Sequence, residues 1–259
     1  MTRLYQKRLA PVFASLRHVA LANDAGFALA ILRDAETLIL SISDFGYNPD
    51  LYTTVYHLKN VQRIKISWGW GWGDRARPAV DLFQELDPAR LIAVDVRLPD
   101  PDALSSFISI LPHCTSLQSL TITTAEADYT RTLTVLDTPA FRSAVAQTTL
   151  AHLTLSAWPT ATFLSSLPPT LRSLVITEMY VPESERGEFG TRLDDARGWR
   201  ARYLPALKVL AIQLSSQASL DERNLEARLA GVVGRARGFA VVVSASQAEI
   251  RGLPGQWNA

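Results

Sequence analysis

Apolar residues recur along the chain in pairs separated by one residue, and the pairs themselves recur. In chain order they are Val19/Leu21, Leu38/Leu40, Ile64/Ile66, Val94/Val96, Leu120/Ile122, Leu153/Leu155, Leu174/Ile176, Leu210/Ile212 and Val241/Val243. A period of two is the signature of a strand with one buried face. In most copies another apolar residue stands three positions ahead of the first: Leu16, Val61, Leu91, Leu117, Leu150, Leu171 and Leu207. The intervals between successive pairs run from 19 to 36 residues and average about 28. Such a spacing leaves room for a helix on each return arm.

Helix signals fill several of these gaps. Asp100-Pro101 pairs an N-cap residue with proline at the first helical position, and Leu104, Phe107, Ile108 and Leu111 follow at offsets that share one helix face. Thr138-Pro139 repeats this start before Phe141, Ala144 and Val145. Residues 77–86 carry Val80, Phe83 and Leu86; residues 50–58 and 160–167 read as shorter helices; residues 221–236 place Leu225, Leu229, Val232 and Val233 on one side. Alternating strands and helices imply parallel strands joined by right-handed crossovers. A period near 28 residues then implies an α/β solenoid in which each unit buries its apolar face against the next. Residues 181–203 mix acids and bases and read as a solvated loop leading into a helix. The expected organisation is one domain across residues 1–259, with a basic N-terminal cap at 1–15, repeats at 16–243 and a polar C-terminal cap at 244–259.

Leu111-Pro112-His113-Cys114-Thr115-Ser116-Leu117-Gln118-Ser119-Leu120-Thr121-Ile122 carries the fullest copy of the pattern. Leu167-Pro168-Pro169-Thr170-Leu171-Arg172-Ser173-Leu174-Val175-Ile176 and Leu204-Pro205-Ala206-Leu207-Lys208-Val209-Leu210-Ala211-Ile212 are variants of it. These phrases resemble the LxxCxxLxxLxL step of the leucine-rich-repeat region of fungal F-box-type proteins. The resemblance implies an irregular leucine-rich-repeat horseshoe, with parallel strands on the concave face and helices on the convex face. It also implies a non-catalytic protein–protein recognition scaffold, like the substrate-binding part of an F-box ubiquitin-ligase receptor. A cullin-ligase adaptor joins the expected partners where an F-box lies upstream. A stand-alone repeat regulator or inhibitor is the alternative. Two departures stand out. The Asn or Cys usual after the strand is replaced by Gly69, Pro99, Ala125, Trp158, Met179 and Ser215, and no F-box is recognisable ahead of the repeats.

Composition narrows the function classes. A net charge of +1 gives no bulk attraction to nucleic acid or to an anionic membrane. One cysteine, Cys114, excludes an internal disulfide and a CxxC metal site, and it suits a reducing cytoplasmic or nuclear setting. No stretch approaches the ~18 apolar residues of a spanning helix. His18, His57, His113 and His152 lack metal-ligand spacing, and the repeat pattern already explains a buried Cys114. Paired acids at Asp194-Asp195 and Asp221-Glu222 read as solvated helix positions. No enzyme, cofactor or metal site is expected.

Two surfaces are candidates for a protein partner. In each strand the residue between the inward pair points outward, and so does the one beyond it. The resulting row includes Lys65, Ser67, Asp95, Arg97, Thr121, Thr123, Thr154, Ser156 and Thr177. Its polar, weakly charged character suits protein recognition, and it equally suits a solvated sheet face. The second candidate is Trp68-Gly69-Trp70-Gly71-Trp72-Gly73-Asp74. A dinucleotide fingerprint would need glycine where Asp74 stands, and no Gly-Lys-Ser/Thr follows. Trp68, Trp70 and Trp72 read as partner contacts or as indoles packed on neighbouring turns.

Overall fold

The computed structural model describes residues 15–22, 34–42, 58–68, 86–98, 107–124, 138–156, 161–179, 202–214 and 240–244. The chain divides into two compact units, Met1–Leu117 and Gln118–Ala259.

In the first unit four parallel strands follow one another in chain order: β1 (His18–Ala22), β2 (Thr37–Ile42), β3 (Arg63–Trp68) and β4 (Ala93–Leu98). Their register aligns the repeats residue for residue, pairing Val19 with Leu38, Leu38 with Ile64 and Ile64 with Val94. The inward residues Val19, Leu38, Ile64, Ile66, Val94 and Val96 are all buried. A buried side chain of this size contributes about 1.5–3 kcal/mol, so the aligned row is the main reason the strands stack. Two positions differ from expectation. Leu16 is 36% exposed, because no described repeat stacks on the outer edge of β1. Ala35 fills the buried place three residues ahead of Leu38, where the chain has no large apolar residue.

A backbone device recurs at each strand entry. Arg17 C=O accepts from both Glu36 N–H and Thr37 N–H at 2.8 and 2.9 Å, Glu36 C=O from Gln62 and Arg63, and Gln62 C=O from Ile92 and Ala93. A carbonyl has two lone pairs, so one acceptor can satisfy two donors of the next repeat. Before the strand, a tight turn brings an N–H back to a carbonyl three residues earlier: Val61 to Leu58, Leu91 to Pro88 and Leu117 to Cys114. Leu58 and Cys114 therefore hold equivalent core positions, both fully covered. Phe107, Ile108 and Leu111 of the expected helix are buried, and a 3-10 turn, Leu111–His113, ends it. The start of that helix, with Leu104, lies outside the described residues, as do residues 50–57 and 77–85 of two other expected helices.

In the second unit five parallel strands run in chain order: β5 (Ser119–Thr124), β6 (His152–Leu155), β7 (Ser173–Met179), β8 (Val209–Leu214) and β9 (Ala240–Ser244). Leu120, Leu153, Leu174, Leu210 and Val241 stand side by side, and the register shifts between Ile176 and Met179 of β7. The shared acceptors return at Gln118, Ala151 and Arg172, and the tight turns at Pro168–Leu171 and Leu204–Leu207. Helix α1 (Pro139–Ala146) begins as its sequence implies, with Thr138 Oγ1 accepting from Phe141 N–H at 3.3 Å. Helix α2 (Ala161–Ser166) is short. Its Ser165 and Ser166 hydroxyls donate back to the Thr162 and Phe163 carbonyls, and Pro168 cannot continue the ladder. The two helices meet through Phe141 and Phe163, whose rings stack at 5.6 Å. The helix expected at 221–236 and most of the loop at 181–203 lie outside the described residues.

Candidate functional site

The face opposite the buried row is where the expected binding residues stand. On β3 it carries Arg63, Lys65 and Ser67, and on β4 it carries Ala93, Asp95 and Arg97. The register places Lys65 beside Asp95 and Ser67 beside Arg97. Lys65 Nζ lies 3.3 Å from Asp95 Oδ2, with the carboxylate the more covered of the two. Burial pushes the Asp95 carboxyl above its ordinary range, and the neighbouring Lys65 ammonium, by its charge and its hydrogen bond, partly offsets this. Arg63 and Arg97 are exposed and make no ion pair among the described residues. The other described ion pair, Arg17 with Glu36 at 3.6 Å, is open to solvent at a strand entry. Screening leaves such a pair little energetic weight.

In the second unit the same positions behave differently. Thr121 and Thr123 on β5 are half-buried, as is Thr177 on β7, whose hydroxyl donates to Leu155 C=O at 3.5 Å. Thr154 and Ser156 are buried. Val175 and Ala211 are also buried, at 1% and 0% exposure, and Val209 packs against them. Here the outward face holds a small apolar cluster of its own. The signal for it was in the strands themselves: Leu174-Val175-Ile176 and Val209-Leu210-Ala211-Ile212 are apolar without alternation. Strands of that kind are covered on both faces. Among the expected contact residues, Lys65, Ser67, Asp95, Arg97, Thr121, Thr123 and Thr177 thus keep some access to solvent, while Thr154 and Ser156 do not.

Trp68 is the last residue of β3, and Trp70 and Trp72 lie outside the described residues. Cys114 is fully covered, its Sγ hydrogen donating to Ile110 C=O at 3.5 Å, and burial pushes its thiol up to about 12. No group of three His, Cys, Asp or Glu side chains suited to a metal occurs among the described residues. Among those residues, no helix is long and apolar enough to cross a membrane. No family model matches the chain, and no curated protein matches it.

Proposed function

We propose that the chain is an irregular leucine-rich-repeat solenoid serving as a non-catalytic protein–protein recognition scaffold, and that β3 and β4 carry its contact face. The observation behind this reading is the pair of aligned rows on those strands. One side is a continuous apolar row, and the other presents Lys65 beside Asp95 and Ser67 beside Arg97 with access to solvent. A rigid sheet that holds charged and hydroxyl groups in fixed register suits recognition, because little side-chain freedom remains to be lost on binding. The repeat pattern also resembles the substrate-binding region of F-box ubiquitin-ligase receptors, which makes a degradation substrate the first class of partner to seek.

The test is a tagged pull-down from the source cells, with bound proteins identified by mass spectrometry, beside a variant carrying Lys65→Glu, Asp95→Lys and Arg97→Glu. The expected result is a specific protein recovered by the wild type and lost by the variant. Co-recovery of cullin-ligase adaptors would support the receptor role, and their absence alongside a specific partner would favour a stand-alone regulator. Identical recovery by both proteins would remove β3 and β4 from the site and turn attention to Trp68, Trp70 and Trp72.

A further inference from the structure

Among described side chains at outward strand positions, Lys, Arg, Asp and Glu occur only on β3 and β4. The register sets them at three levels along the strand direction. Arg63 lies level with Ala93, Lys65 with Asp95, and Ser67 with Arg97. The middle level is an ion pair and is internally neutralised. The outer levels each present one exposed guanidinium with no carboxylate partner among the described residues. Four residue steps separate them, which is ~13 Å along the strands, with one strand spacing of ~4.8 Å across.

We infer that this face binds an extended acidic segment of a partner protein, one that carries two carboxylates four residues apart with a small hydroxyl residue midway. This deepens the recognition reading above and rests on it. The argument is charge and spacing together. An extended chain repeats its side chains on one face every second residue, so positions i and i+4 lie ~13 Å apart and match the two guanidiniums. In a helix the same positions are only ~6 Å apart. Each guanidinium offers a planar fork of donors to a carboxylate. The midway residue meets the Lys65–Asp95 pair, where a further charge would be repelled by one member and a hydroxyl can serve both. Asp95 works against an acidic ligand at this level and confines the attraction to the outer two.

The probe is a fluorescein-labelled peptide, Gly-Glu-Val-Thr-Val-Glu-Gly, compared by anisotropy with Gly-Val-Glu-Glu-Thr-Val-Gly. The two have the same composition, and the second places its carboxylates on opposite faces of an extended chain. Full-length protein is expected to prefer the first peptide, with affinity falling as salt rises. Arg63→Gln and Arg97→Gln should each weaken it by about two- to fivefold, and together by about the product. Asp95→Asn should tighten it. Both arginines are exposed, so the variants are expected to keep the fold, and unchanged urea midpoints verify this. Equal affinity for both peptides, or no effect of the arginine substitutions, would overturn the inference. So would stronger competition by a single-stranded oligonucleotide of equal charge. If the peptide fails while the charge-reversed variant still loses its cellular partner, only the acidic-segment inference falls. If that variant keeps every partner, the recognition reading falls with it.

Discussion

Cys114 is the one cysteine of the chain, so its thiol reports on the packing of the repeat without labelling ambiguity. It is fully covered, and its pKa stands at about 12 rather than at the ordinary 9.0. At about pH 8 that difference alone lowers the thiolate fraction roughly a thousandfold, and the thiolate is the reactive form. Covering by neighbours slows reaction further, so modification by a disulfide reagent should proceed only through opened molecules. Native protein should therefore react at least ~10³-fold more slowly than protein in concentrated guanidinium. Leu117 closes the same turn, accepting no exposure of its own, and Leu117→Ala should cost about 2–5 kcal/mol. If opening is global, the modification rate rises by the matching factor, roughly 30- to 5,000-fold. Lys59→Ala, at an exposed site in the turn ahead of β3, should change the rate by no more than about twofold. Two results would refute this reasoning. One is native reactivity within tenfold of the unfolded protein. The other is a Leu117→Ala variant that loses stability in urea while its thiol reacts at the wild-type rate.

Three further predictions address single contacts. Ser173 Oγ is buried with no hydrogen-bond partner among the described residues, so Ser173→Ala should be neutral or stabilising by up to about 1 kcal/mol in urea unfolding; a clear loss would mean the hydroxyl is satisfied in solution. Thr138→Ala removes the acceptor for Phe141 N–H and should cost about 0.5–2 kcal/mol, with Thr138→Ser retaining most of the stability. Asp95 has a folded-state pKa above its ordinary 3.8, so the folded state binds the extra proton. Its contribution to stability is present below 3.8 and lost as pH rises through the raised value. Asp95→Asn should remove that decline, so its stability relative to wild type should climb with pH across this window. Lys65→Met should widen the window upward, and a wild-type and Asp95→Asn difference that does not vary with pH would contradict the assignment.

The repeat register was legible in the chain because it is a local, repeated signal. Within each unit, every inward pair aligned on the sequence stands in hydrogen-bonded register with the next, as Ile64 with Val94 and Leu153 with Leu174. The tight turns ahead of the strands are equally local, and they account for the burial of Cys114. The Thr138 cap and the Phe141 face of α1 followed from residue type and spacing alone. Leu16 misled for a simple reason: an apolar residue at the right offset is buried only if something packs on it, and the first strand has no described neighbour on that side.

What the sequence determined by itself is which residues face the core, since a strand's period of two assigns every residue to one face or the other. What only the tertiary structure decided is the fate of the opposite face. Lys65 and Thr154 occupy the same position in their repeats, yet Lys65 keeps access to solvent and Thr154 is buried. Periodicity cannot distinguish them, because covering that face depends on residues far away in the chain. The same holds for Lys65 and Asp95, thirty positions apart. Their 3.3 Å contact, which offsets part of the rise that burial gives the Asp95 carboxyl, exists only because backbone pairing brings β3 and β4 into register.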